Sequence, residues 1–481
     1  MAAKCATRSG FSTSMSSSSP SILNANSVAD RRRSARLQSF TRKTTRRVVT
    51  GTDASLVGVL QPRLSVVVVV ALLALTGRLT AGINSTRARR PAAASPNVTV
   101  TVLSNNRYNA KCLDGSPPGY YFRPGFGHGL SSWHIHLPPG GWCSTLASCA
   151  DRSATFLGSS RADLQKENPY RNASYGYMGI LSAGPFINRA FRNWNLVIPM
   201  YCDGGGFWGT AGRTRVNDSY AIYLDGWNTL KAVLQDVMDT RGMAAASRVL
   251  LSGQSAGAQT VLTLCERMTD YAPNAKPIKC LMDSGAFADS NDRLGQPFFQ
   301  NMARDLVSLH KFVGESKCSQ GYPPDQQWRC FFPQYALPFL PRSLPLFIVN
   351  SLFDYRAQML GNQLSPTNRT YSVRCIAELL RILPNITVQS LVASSPRQLV
   401  LYLTGKQVGK ECSNSEKLAV LQAGQKVGKF VQQVRNRGKS SGAFLPVGMA
   451  HCVTAVPYWN QLKVDRVTMA DAVVAWYIQK L

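Results

Sequence analysis

Short apolar runs bounded by Gly, Pro, Asn or Asp recur along the C-terminal three quarters of the chain. They occupy 132–137, 195–201, 248–252, 278–282, 345–352 and 399–403, with a shorter one near 443–447. Each has the length and punctuation of a strand. Between them, apolar residues return at helical spacing over 218–241, 257–269, 297–312, 355–363, 371–382, 415–435 and 468–480. Strands that alternate with helices predict an α/β fold, with a mostly parallel central sheet covered by helices on both faces. The last helical stretch, Thr468–Lys480, places Trp476 and Tyr477 among its apolar positions, where they serve packing.

The N-terminal part follows a different pattern. Residues 1–63 are rich in Ser, Thr and Arg, with eleven Lys and Arg against Asp30 and Asp53. Such a stretch cannot bury enough apolar surface to order itself and is expected to be disordered. Residues 64–80 hold an uncharged apolar run between Arg63 and Arg78, expected to act as a signal anchor or as a cleaved signal segment. If it is uncleaved, a membrane becomes a partner. Residues 81–105 read as a linker and 106–481 as one catalytic domain, ample for a sizeable core.

The redox and glycosylation signals lie on one side of that run. Asn-x-Ser/Thr sequons occur at Asn84, Asn97, Asn172, Asn217, Asn368 and Asn385, all after it. Eleven of the twelve cysteines also follow it, with no C-x-x-C spacing. Disulfides in a secretory-pathway protein are the expected use, and Cys143/Cys149 and Cys318/Cys330 are close enough to pair locally. Golgi retention with a luminal domain and secretion to a cell wall both fit. Of the net charge of +29, about +20 belongs to the chain beyond residue 63. That field suits a polyanionic glycan or an acidic membrane surface. Nucleic acid is excluded as a partner of a luminal, glycosylated domain.

The chemistry begins at Gly253-Gln254-Ser255-Ala256-Gly257, which follows a predicted strand and opens a predicted helix. A G-x-S-x-G pattern in that setting is a nucleophile elbow, in which Ser255 is presented at the carboxyl end of the sheet. In the order nucleophile, acid, base, only His310 and His451 lie downstream. His310 sits in a helical stretch, where a surface or partly buried place is expected. His451 follows a Gly- and Ser-rich loop, where a base belongs. Asp354 ends the 345–352 run and is the favoured acid. Asp283, at the end of 278–282, is its competitor and is otherwise expected to bond backbone near the elbow. Ala256 N–H and the N–H groups of Gly141 and Trp142, in the loop after 132–137, are candidate oxyanion donors. His134 and His136 form an H-x-H without a third ligand nearby, so no metal is implied.

These residues also carry a resemblance. Gly140-Gly-Trp-Cys143, Asn193-Trp-Asn195, Tyr201-Cys-Asp-Gly204, the elbow, Asp283-Ser-Gly285, Cys330-Phe-Phe-Pro-Gln334, Asn350–Asp354 and Ala450-His-Cys452 together resemble the pectin acetylesterase/Notum family of carboxylesterases over about 110–480. The resemblance implies an α/β-hydrolase-like fold and a triad of Ser255, Asp354 and His451. It also implies oxyanion donors at Gly141, Trp142 and Ala256, and no cofactor. The chain departs from the family at Pro138-Pro139, Gln254 and Ala258. The substrate expected is an acetylated polysaccharide, deacetylated through an acyl-enzyme, with Asp203 binding sugar hydroxyls or serving a turn. A Notum-like protein or lipid deacylase acting on an acylated protein is the alternative, and a non-catalytic glycan-binding relative is a third reading.

Overall fold

The computed structural model describes residues 97–171, 177–312, 316–361, 369–383, 385–403 and 412–479. The expected disordered segment 1–63, the apolar segment 64–80 and the sequons at Asn84, Asn172 and Asn368 lie outside these residues. No helix among the described residues is long and apolar enough to cross a membrane.

An eight-stranded sheet forms the centre. Its strands are β1 (Thr99–Val102), β2 (Gly119–Arg123), β3 (Ser132–Leu137), β4 (Asn195–Pro199), β7 (Arg248–Gln254), β8 (Ile278–Asp283), β9 (Leu346–Val349) and β10 (Gly442–Phe444). A separate antiparallel hairpin joins β5 (Gly212–Arg215) to β6 (Ala221–Leu224). The order across the sheet is β1-β2-β4-β3-β7-β8-β9-β10. From β4 to β10 all pairings are parallel, whereas β1 and β2 complete one edge antiparallel. The expected linker 81–105 therefore contains a sheet strand, β1, and the folded region begins earlier than residue 106.

The period-two alternation of the strands sends side chains into two layers. Ile135, Leu137, Val249, Leu251, Met282 and Ile348 face one side, packed with α2 (Gly226–Arg241), α3 (Ala256–Cys265) and the helix Asn414–Arg435. Leu250, Leu281, Phe347 and Val349 face the other, against Phe191, Trp459 and the helix Met469–Ile478. Trp476 and Tyr477 are buried there as packing residues. Buried Lys279 donates to the carbonyls of Trp476 and Gln479, at 3.0 and 3.1 Å, and so neutralises the end of that helix.

Two expected elements are corrected. The run 399–403 lies in a helix, Pro396–Leu403, which starts on a proline whose fixed φ suits a first helical turn. The stretch 218–241 is not one helix. Its first part is β6, and α2 starts only at Gly226, where a Cβ would collide with the carboxylate of Asp203.

Candidate active site

Ser255 stands between β7 and α3 with φ 52° and ψ −120°, a conformation that a side chain adopts only under strain. The glycines around it permit the turn. A Cβ on Gly253 would lie 2.5 Å from the carbonyl oxygen of Gly257, and one on Gly257 would strike the carbonyls of Leu137 and Pro138. The start of α3 thus abuts the loop that leaves β3. Ser255 N–H donates to Asp283 O at 2.9 Å, which fixes the elbow to the end of β8.

Asp354 and His451 are brought together by two loops that run side by side. Leu352 N–H donates to Pro446 O, Phe353 N–H to Gly448 O and Tyr355 N–H to Met449 O, at 2.9 to 3.0 Å. His451 Nδ1 then donates to both carboxylate oxygens of Asp354, at 2.7 and 2.9 Å. Asp354, 2% exposed, also accepts from the N–H groups of Arg356 and Ala357 at the start of the following helix.

Asp283 has a different set of partners. Its side chain accepts from Val453 N–H (3.2 Å), Thr454 N–H (2.7 Å), Thr454 Oγ1 (2.7 Å) and Gln254 Nε2 (2.8 Å). Ser284 Oγ accepts from Cys452 N–H at 2.8 Å. The residue before Ser255 and the three residues after His451 are therefore held on one carboxylate and its neighbour. Three side chains with positive φ meet here: Ser255, Ser284 and Cys452.

The loop after β3 passes the start of α3 at Leu137 and Pro138 and continues through Gly140, Gly141 and Trp142. Gly141 has φ 65°, the left-handed conformation found where successive N–H groups form an anion-binding concavity. Ala256, the first residue of α3, has an N–H with no intrahelical acceptor. The Trp142 ring packs edge-on against buried Phe287 and Phe331, with centroids 5.1 and 5.0 Å away.

Asp203 takes the turn role among its two expected ones, and His310 is not where sequence reasoning put it. Asp203 is completely buried and accepts from the N–H groups of Gly205 and Phe207, so it shapes a turn and meets no solvent that could carry a sugar. Burial pushes its carboxyl up to about 6. His310 is fully buried rather than on the surface. Its Nε2 donates to Cys143 O at 2.9 Å, and the loss of solvent lowers it to about 4. His134 and His136 share Ser252 Oγ at 2.7 and 2.8 Å, and burial pulls both down, His136 to about 3.

Cys143, Cys149 and His310 lie together, but the two sulfurs are joined in a disulfide and offer no thiolate to a metal. Further disulfides link Cys112–Cys202, Cys265–Cys280, Cys318–Cys330 and Cys375–Cys412, and Cys452 is buried outside these disulfides. The sequons at Asn97, Asn217 and Asn385 are exposed.

Sequence reasoning missed the roles of Gln254, Tyr201 and Arg152 around the site. Gln254 and Tyr201 stand in the motifs that carried the resemblance, whereas Arg152 had no motif to mark it.

The pectinacetylesterase family model matches residues 92–481. Pectin acetylesterase 7 of Arabidopsis thaliana is 36% identical over 263 residues, which take in 54% of this chain and 62% of that relative. The human palmitoleoyl-protein carboxylesterase NOTUM is 28% identical over 255 residues, 50% of this chain and 48% of that relative. Each match thus spans less than two thirds of the relative's own length. The structure of the Wnt deacylase Notum from Drosophila superposes with a TM-score of 0.59 at 20% identity, covering 79% of this chain and 92% of that one. That likeness is one of fold, an α/β-hydrolase sheet with helices around it.

Proposed function

The chain belongs to the pectinacetylesterase family, and on that premise we propose that it is a serine carboxylesterase that removes O-acetyl groups from an acetylated, acidic polysaccharide. The observation that carries the reading is the His451–Asp354 pair, tied by Asp283 and Ser284 to the strained elbow of Ser255. In this reading Ser255 Oγ attacks the acetyl carbonyl and His451 takes its proton, while Asp354 holds the imidazole and balances its charge. The N–H groups of Gly141, Trp142 and Ala256 receive the oxyanion. His451 then protonates the departing sugar oxygen, and water, activated by the same histidine, releases acetate.

Five disulfides support a secretory-pathway location, since such bonds persist in oxidising compartments. Acetyl, butyryl and octanoyl p-nitrophenyl esters, together with acetate release from acetylated pectin, test the proposal. Acetyl turnover that is lost in Ser255→Ala, with acetate released from pectin, is the expected result. Octanoyl turnover far above acetyl, with no acetate from pectin, would replace it with a lipid deacylase. No ester hydrolysis by the folded protein would leave only glycan binding.

A further inference from the structure

We infer that Tyr201 and Arg152 are positioning residues for the oxyanion hole, which they aim and polarise from behind by holding the carbonyls of Gly141 and Gly140. The inference rests on the esterase reading above. Arg152 Nη1 donates to Gly140 O at 3.0 Å, and its Nε donates to Leu157 O at 3.1 Å. Tyr201 Oη donates to Gly141 O and accepts from Gly206 N–H at 3.0 Å. The guanidinium lies 4.8 Å from the centroid of the Tyr201 ring, so both carbonyls are drawn to one side of the loop.

A trans peptide points its N–H opposite to its C=O. The Gly140–Gly141 peptide therefore directs Gly141 N–H away from Arg152, and the Gly141–Trp142 peptide directs Trp142 N–H away from Tyr201. These are the two N–H groups assigned to the oxyanion. Each is made a better donor by the bond at the other end of its peptide, because linked hydrogen bonds polarise one another. The bond from Arg152 is charge-assisted and the stronger of the two. Among the described residues no carboxylate lies within ion-pair distance of Arg152, whose charge acts on buried Asp203 only from beyond that distance, and its Nη2 is buried without a partner. Gly140 allows the arrangement, since a Cβ there would come within 2.5 Å of the Tyr201 ring. Tyr201 is 2% exposed, so its effect passes through the peptides it holds.

The test uses the full, disulfide-bonded chain with Tyr201→Phe, Arg152→Met, Arg152→Lys and Ser255→Ala. For p-nitrophenyl acetate, Tyr201→Phe and Arg152→Met should each lower kcat by about 10- to 100-fold with KM nearly unchanged, somewhat less than removal of a direct oxyanion donor. Affinity for a trifluoromethyl ketone, which adds Ser255 to form an oxyanion, should fall in parallel with kcat/KM. Arg152→Lys should recover part of the loss. Should Tyr201→Phe fail to fold, the Met and Lys variants at Arg152 decide the matter by the same readouts. A loss that appears in KM alone, or leaves ketone affinity intact, overturns the inference. Near wild-type turnover in the folded variants, with Ser255→Ala inactive, also overturns it and leaves the esterase reading standing. Full activity in Ser255→Ala would instead remove the esterase reading and this inference with it.

Discussion

His451 Nδ1 lies 2.7 Å from one carboxylate oxygen of Asp354 and 2.9 Å from the other, across 97 positions of sequence. Asp283, the other carboxylate at a strand end nearby, accepts instead from the backbone and side chain of residues 453–454 and from Gln254. Two acids in one neighbourhood therefore face different partners: Asp354 an imidazole and two backbone amides, Asp283 a set of amides and the hydroxyls of Thr454 and Ser284.

That division predicts different mutant phenotypes. Asp354→Asn should lower kcat by about 10⁴-fold with little change in Tm, because the amide cannot balance an imidazolium and its NH2 can turn to Nδ1 and select the wrong tautomer. Asp283→Ala should lower Tm sharply, since it strands several buried donors at about 1–3 kcal/mol each. Thermal melts and p-nitrophenyl acetate kinetics on both proteins distinguish the two. A fully stable Asp283→Asn that loses more turnover than Asp354→Asn would reverse the assignment of the acid.

Stability should fall in mild acid. Burial lowers His134, His136 (about 3) and His310 (about 4), so all three are neutral when folded and take up protons near their ordinary range of about 6.5 when unfolded. Their contribution is complete above that range and is lost as pH falls below it. Asp203, raised to about 6, acts in the opposite sense between about 4 and 6, where the folded state holds one extra proton. Three histidines outweigh one carboxyl in that window, so the net effect is a loss of stability as pH falls. Urea unfolding at pH 7, 6 and 5 measures the slope, and a flat profile would contradict the buried neutral histidines.

Capture of the polymer should depend on salt. The chain beyond residue 63 carries a large excess of Lys and Arg, and exposed charges are screened beyond about 8 Å at physiological ionic strength. Acetate release from acetylated pectin should decline several-fold between low and high salt, while hydrolysis of neutral p-nitrophenyl acetate stays level. Equal salt dependence for both substrates would separate the charge from substrate capture.

Glycosylation is expected at Asn97, Asn217 and Asn385, each exposed. At Asn217 the side-chain oxygen accepts from Ser219 N–H and Oγ, which keeps the sequon in an open turn. Endoglycosidase treatment of protein secreted from a eukaryotic host should increase its gel mobility. Unchanged mobility would show that these sequons are unused.

Where a single physical cause decides structure, the sequence was readable. β3, β7 and β8 fall where their apolar runs begin, and the G-x-S-x-G turn is the sharp elbow its glycines permit. Cys143–Cys149 and Cys318–Cys330 pair as their spacing allows. Failures came where tertiary contacts chose between local options. A short apolar run such as 399–403 has no period of its own to separate strand from helix. Residues 221–224 pair as a hairpin before Gly226 lets a helix begin. Asp203 looked available to a sugar because nothing in Tyr-Cys-Asp-Gly reveals that the backbone folds around the carboxylate. Arg152 could not be found from sequence, since its partner is the carbonyl of Gly140 rather than a side chain.

The clamp at Asp283 also sets when this protein can begin to work. In the proposed triad Ser255, its strand and its helix are complete once α3 has formed, but His451 joins them only when residues 452–454 dock on Asp283 and Ser284. A nascent chain that carries a finished elbow therefore remains chemically inert until its C-terminal segment has emerged and closed the circuit. Appearance of esterase activity would then report the last long-range step of maturation rather than assembly of the sheet.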